Sequence, residues 1–119
     1  MIIDHIRDKE EFKRLYEERP MPHPYPYEWL IKNPHLYCFY EDKLLGFITV
    51  QNDNGKLTLS GVSIRKNMSN IIKAIITVCD SYSDDMYSYT PLRHARLVLK
   101  KAGFTHLKDD EYVRYKNGK

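Results

Sequence analysis

One four-residue turn does most to limit the folds open to this chain. Asn52-Asp53-Asn54-Gly55 stands between two strand-like runs, Leu44–Val50 and Lys56–Ile64. Asn-Gly at the tip of a hairpin tolerates the positive φ that a tight turn needs, so the two runs are predicted to pair antiparallel. Upstream, the aromatic run Leu36–Tyr40 meets Leu44–Val50 through the polar turn Glu41-Asp42-Lys43, a second hairpin. Three consecutive strands therefore form a meander. Asn67–Tyr82 follows, with Met68, Ile71, Ile72, Ile75, Cys79 and Tyr82 at helical spacing. A helix between the meander and the short strand Met86–Tyr89 predicts a βαβ crossing.

The remaining segments fit around that nucleus. Met1–Ile6 reads as a strand. Asp8 reads as a helix N-cap, with Glu11 at capping-box spacing and Phe12, Leu15 and Tyr16 on one face. Pro20, Pro22, Pro24 and Pro26 alternate with other residues and enforce an extended segment. Tyr27–Ile31 is a short helix that stops before Pro34. Pro91 opens a further helix with Leu92, Ala95, Leu99 and Ala102 on one face, and Gly103 ends it. Phe104–Leu107 and Tyr112–Tyr115 are two last strands. With 119 residues, the chain is predicted to be one domain, 1–119. Its class is α/β: a mixed, mostly antiparallel sheet with helices on both faces.

One strand breaks the alternation rule. Leu57 and Leu59 share a face, but Val62 and Ile64 are one residue out of phase with them. An extra residue at Ser60-Gly61 restores the phase, which predicts a bulged central strand. Core on both faces of the sheet is the alternative that needs no bulge.

Composition excludes several classes. The net charge of +3 is too small and too dispersed to announce a nucleic-acid binder, and no RNA-recognition or zinc-finger motif is present. His5, His23, His35, His94 and His106 lack metal-site spacing, so no metal is expected. No run approaches the roughly 18 apolar residues of a membrane span, and the charged stretch Met1–Arg19 holds no signal-peptide core. Cys38 and Cys79 sit in apolar runs without a CxxC arrangement, as buried free thiols do. A reducing, cytoplasmic setting is the expectation. Nothing in the sequence speaks to oligomeric state.

The order of elements, the expected bulge at Ser60-Gly61 and the passage from Leu92 to Phe104 resemble the GNAT family of N-acetyltransferases over nearly the whole chain. The family helix before the last hairpin looks like Asn-x-x-Ala-x-x-Leu-Tyr-x-x-x-Gly-Phe. Ala95, Gly103 and Phe104 match it, and Val98 holds the apolar place of its leucine. Leu92 replaces its asparagine and Leu99 its tyrosine, often the acid that protonates the leaving coenzyme A thiolate. An aliphatic side chain donates no proton. The family's acetyl-CoA pyrophosphate loop looks like Gln/Arg-x-x-Gly-x-Gly/Ala. Here Arg65-Lys66-Asn67-Met68-Ser69-Asn70-Ile71-Ile72 contains no glycine in either register. Its amides form an anion-binding nest only where side chains leave room.

The resemblance implies acetyl-CoA as a possible cofactor, held by Val62, Ile64, Arg65, Lys66, Asn67, Ser69 and Asn70. With Leu99 at the acid's place, one of Tyr87 and Tyr89, Tyr89 by preference, reads as a substitute acid and His94 as a base near the acceptor. Tyr89 also reads as a packed or rim aromatic, and His94 as a surface histidine. Small phage proteins of this fold, including an internal virion protein of podoviruses, are similar in having the final helix and Gly-Phe-like turn without the glycine loop. Two functions follow as expectations. One is a non-catalytic or weakly active GNAT-like protein, of phage origin, in host cytoplasm or virion, binding a protein partner. The other is an acyl-CoA-dependent N-acetyltransferase with a divergent loop. Candidate partner residues are the aromatics Tyr25, Tyr27 and Trp29 beside the prolines, and the basic face Arg93, Arg96 and Lys100.

Overall fold

Asn54 and Gly55 both take positive φ, at 52° and 90°. The primed turn predicted from sequence is therefore present, and Asn52 reinforces it by accepting a hydrogen bond from the Gly55 amide at 2.8 Å. The computed structural model describes residues 2–18, 26–63 and 68–116. Its elements run β1 (Ile2–Asp4), α1 (Lys9–Glu17), α2 (Tyr27–Lys32), β2 (Leu36–Tyr40), β3 (Leu44–Asp53) and β4 (Lys56–Ser63). They continue with α3 (Met68–Asp80), β5 (Met86–Tyr89), α4 (Arg93–Lys101), β6 (Thr105–Lys108) and β7 (Glu111–Arg114). The strands form one sheet in the order β1-β2-β3-β4-β5-β7-β6. Among the described residues every pairing is antiparallel except β4 with β5.

Local chemistry sets the helix ends. The Asp8 carboxylate accepts from the amides of Glu10 and Glu11 at 2.9 and 3.3 Å. The Glu11 carboxylate, expected at capping-box spacing, accepts instead from the Leu44 amide at 3.2 Å and ties α1 to the start of β3. Gly103 takes φ +96°, and the Phe104 amide returns to the Leu99 carbonyl at 2.9 Å, closing α4.

The sheet carries core on both faces. On one, α3 and α4 cover Phe39, Leu45, Ile48, Val50, Leu59, Met86 and Tyr112. On the other, Phe12, Leu15 and Leu30 of α1 and α2 cover Leu36, Cys38, Tyr40, Leu44 and Phe47. This arrangement corrects the expected bulge at Ser60-Gly61. β3 and β4 stay in unbroken register from Gly46↔Ser63 to Asp53↔Lys56. Leu59 opposes Val50 of the first cluster, and position 62 opposes Phe47 of the second. Positions 59 and 62 thus oppose residues of different clusters on opposite faces of the sheet, and the pairing with β3 contains no extra residue. The register shift lies one strand over, where Phe39 pairs with Gly46 but Tyr40 with Leu44. That shift lets Leu44 and Phe47, three residues apart, join the same cluster.

The C-terminal hairpin is fastened by Arg114. Its Nε donates to the Ala102 carbonyl at 3.0 Å, and a terminal nitrogen meets Asp80 of α3 at 3.0 Å. A Cβ placed on Gly103 would stand 3.2 Å from that Nε. Gly103→Ala combines left-handed backbone strain with this close approach, and is expected to cost about 1–3 kcal/mol. Chemical denaturation of the variant reads it directly; unchanged stability would refute this account of the turn. Burial also pushes the Cys38 thiol up to about 12 and that of Cys79 to about 11. Labelling by a thiol reagent at pH 8 should therefore follow the rate of unfolding rather than thiolate chemistry.

Candidate functional site

Two parallel strands meet at the centre of the sheet and then part. β4 and β5 pair at Leu57↔Met86 and Thr58↔Tyr87, and the ladder stops there although both strands continue. Ser88 spans the next step, its buried hydroxyl donating to the Leu59 carbonyl at 2.9 Å. Beyond it β4 keeps β3 as its ladder partner on one side only. The carboxyl ends of diverging parallel strands are where open α/β sheets receive ligands. α3 and α4 both begin at this end of the sheet.

Alternation decides what lines the nearby surface. Lys56, Thr58 and Ser60 of β4 share a face with Tyr87 and Tyr89 of β5 and with Glu111 and Val113 of β7. α1 and α2 lie on this same face, packed on β2 and β3. The part over β4, β5 and β7 is a polar and aromatic ledge. There the Tyr89 hydroxyl donates to Glu111 Oε2 at 2.8 Å. Lys56 Nζ stands 3.4 Å from the same oxygen and 4.5 Å from the centre of the Tyr87 ring. The Glu111 side chain is only 12% exposed, whereas that of Lys56 is 50% exposed. The Tyr89 hydrogen bond, with help from Lys56, holds the Glu111 carboxyl below the usual carboxylate range. The same bond raises the Tyr89 hydroxyl, and Glu111 raises the Lys56 ammonium. Beside Tyr87 in register, Thr58 has a buried hydroxyl without a hydrogen-bond partner. The arrangement holds positive charge over an aromatic ring.

The residues predicted from sequence scatter more widely. Tyr89 is on the ledge, 50% exposed, its hydroxyl committed to Glu111. His94 is exposed in the first turn of α4. Asn70 lines an open cavity of about 510 Å³ with Lys73, Ile76 and Thr77 of α3, Ile3 of β1 and Glu41. That cavity faces the β1 side of the sheet. Ser69 is exposed. Val62 is placed by its backbone register opposite Phe47. Ile64, Arg65, Lys66, Asn67 and Tyr25 lie outside the described residues. Tyr27 packs against Phe12 and Tyr16, at ring separations of 6.0 and 5.7 Å, while Trp29 remains partly exposed on α2. Arg93 and Lys100 are exposed on α4. Arg96 is tied down, its guanidinium bonded to Asp110 and to the Thr90 carbonyl. Leu99, at the position of the family's acid, is 5% exposed in the α3–α4 cluster. Among the described residues no group of acidic, histidine or cysteine side chains is arranged to hold a metal ion, and no helix is long and apolar enough to cross a membrane.

An acetyltransferase of the GNAT family from Streptococcus pneumoniae superposes with a TM-score of 0.60 at 13% identity. The match covers 94% of this chain and 95% of that one. The chain has the GNAT fold. Tetrahymena GCN5 matches at a TM-score of 0.49 and 16% identity, over 90% of this chain and 82% of that one. No protein-family model matches the sequence, and no curated protein sequence does. The GNAT fold is thus carried by topology: the meander, the crossing through α3 and the parting of β4 from β5.

Sequence reasoning missed Lys56 and Glu111. Both flank turns and read there as solvating charges. The available signal was phase, since Lys56 and Thr58 alternate with Leu57 and Leu59, as Glu111 and Val113 do with Tyr112 and Arg114. A carboxyl that titrates lower in the folded chain than in the unfolded one stabilises the fold above its usual range. That contribution disappears as pH falls through the lowered value. Tyr89→Phe removes the main cause, so carbon-13 NMR titration should show the Glu111 carboxyl moving upward. An unmoved Glu111 titration would show that the hydroxyl is not what holds it down.

Proposed function

We propose that this chain uses the GNAT fold to bind a protein partner and does not transfer an acyl group. The observation that carries the reading is Leu99. The position that the family resemblance assigns to a proton donor is occupied by a leucine packed in the α3–α4 core. Tyr89, named from sequence as a substitute, spends its hydroxyl on Glu111. The stretch 65–72 has no glycine to let a backbone nest close on pyrophosphate.

The outer face of α4 supports the partner half of the reading. Arg93, His94, Leu97, Lys100 and Lys101 are exposed together, Leu97 by 45%, and the helix contains no carboxylate. A cationic helix face with an apolar centre suits an acidic protein surface better than a nucleic-acid backbone, which asks for charge without the leucine. A role as a virion or accessory component of a phage belongs to the same reading. It rests on the resemblance to small phage proteins that also lack the glycine loop.

One observation favours the second reading, an acyl-CoA-dependent N-acetyltransferase. The β4–β5 ladder ends early and leaves the Ser60–Ser63 backbone without a strand on that side among the described residues. Calorimetric titration with acetyl-CoA separates the two. Binding without catalysis is supported by absence of saturable heat and an unshifted thermal midpoint. A micromolar dissociation constant, lost in Asn70→Trp, would favour the acetyltransferase reading instead.

A further inference from the structure

The ledge over β4, β5 and β7 holds a charge in a way that a simple surface ion pair does not. Glu111 is recessed and fixed by the Tyr89 hydroxyl, with both residues on strands that pair directly. The cation that reaches it is half exposed and comes on a flexible chain from the first residue of β4. Lys56 makes its contact at 3.4 Å, near the outer limit of a hydrogen bond, while its nitrogen lies 4.5 Å above the Tyr87 ring. A single long hydrogen bond, the carboxylate charge and the ring face together hold it. A half-exposed pair of this kind is worth little and is readily displaced.

From these distances we infer that Tyr87, Tyr89 and Glu111 form a binding site for a methylated ammonium group, occupied in this structure by the chain's own Lys56. Methyl groups enlarge the cation and remove its N–H donors. The site tolerates both changes. The long nitrogen–oxygen separation leaves space that a methyl C–H···O contact fills at roughly 3.3–3.6 Å. Glu111 already accepts a short hydrogen bond from Tyr89 and loses little when the cation donates none. The Tyr87 face attracts a quaternary cation, and that cation sheds its weaker hydration shell more easily than an ammonium does. A small quaternary amine and a methylated lysine side chain share this chemistry. The inference goes beyond the partner reading above and requires neither the coenzyme nor α4. Its failure would leave the acetyl-CoA result untouched, and the reverse holds too.

The test is a titration of the full chain with tetramethylammonium, followed by NMR of the Tyr87 and Tyr89 rings. Lys56→Met removes the internal occupant and, at the exposed start of a strand, leaves the core alone. The variant is expected to show saturable ring shifts and an affinity about two- to fivefold above that of the unsubstituted chain, because the site is no longer filled in cis. Adding Glu111→Gln should abolish the gain, and Tyr87→Leu should do the same without touching the carboxylate. n-Butylammonium should bind no more tightly than tetramethylammonium. A peptide bearing trimethyl-lysine separates the sources: affinity equal to that of tetramethylammonium marks a small amine, and higher affinity marks a lysine in a chain. Three results would overturn the site. They are the absence of saturable shifts in a Lys56→Met protein of unchanged melting temperature, equal affinity with and without Lys56, and preference for the primary amine.

Discussion

Strand β3 is buried at every residue from Leu44 to Val50, and the rest of the molecule is arranged to make that possible. A strand buried on both faces needs a layer on each side. Ile48 and Val50 enter the α3–α4 cluster, and Leu44 and Phe47 enter the α1–α2 cluster. The Glu11 carboxylate on the Leu44 amide fixes α1 over one end of this strand. The Asn54-Gly55 turn fixes β4 along the other edge. Each element that touches β3 therefore has its position set by burial, by a turn or by one charged hydrogen bond.

The parting of β4 and β5 follows from the same geometry. β4 must follow β3 in unbroken register to Ser63, while β5 pairs antiparallel with β7 along its whole length. The two commitments diverge after Thr58↔Tyr87. A buried carbonyl at that point would lack a partner, and the Ser88 hydroxyl supplies one. The opening is thus a product of sheet pairing and does not depend on catalytic side chains. A chain can keep the GNAT fold and its fork with a leucine at 99, because Leu99 strengthens the α3–α4 cluster that backs the sheet.

Much of this architecture was legible in the residues. The turn at 52–55, the Asp8 cap and the Gly103 stop each have a local physical cause and each is present, and the helix expected over 67–82 is present from Met68 to Asp80. What was not legible depended on the second layer. A phase change at Ser60-Gly61 reads as a bulge only when one face alone is buried. The true register shift sits beside Gly46, the other glycine within a strand, where an absent side chain marks irregularity. The ledge was hidden for a related reason. Lys56 and Glu111 are 55 residues apart, and only the order β4-β5-β7 brings them together. Tyr89 was visible as a candidate, but its partner could be assigned only once the Tyr89↔Glu111 pairing was known.

The sheet also separates two surfaces of opposite preference. The ledge, with its recessed carboxylate and Tyr87 ring, holds the Lys56 ammonium on the face shared with α1 and α2, where the proposed site would take a methylated cation. The exposed side of α4, carrying Arg93, Lys100 and Lys101 around Leu97, lies with α3 over the opposite face, where the proposed reading puts an anionic protein surface. Net charge alone, at +3, conceals this division. Because the sheet lies between them, occupying one surface does not obstruct the other. Salt distinguishes them as well. The α4 face acts through exposed charges that added salt screens within about 10 Å at 0.1 M. The ledge acts partly through a ring face and a recessed carboxylate, which screening reaches less. Rising ionic strength should therefore release an acidic partner from α4 before it empties the ledge.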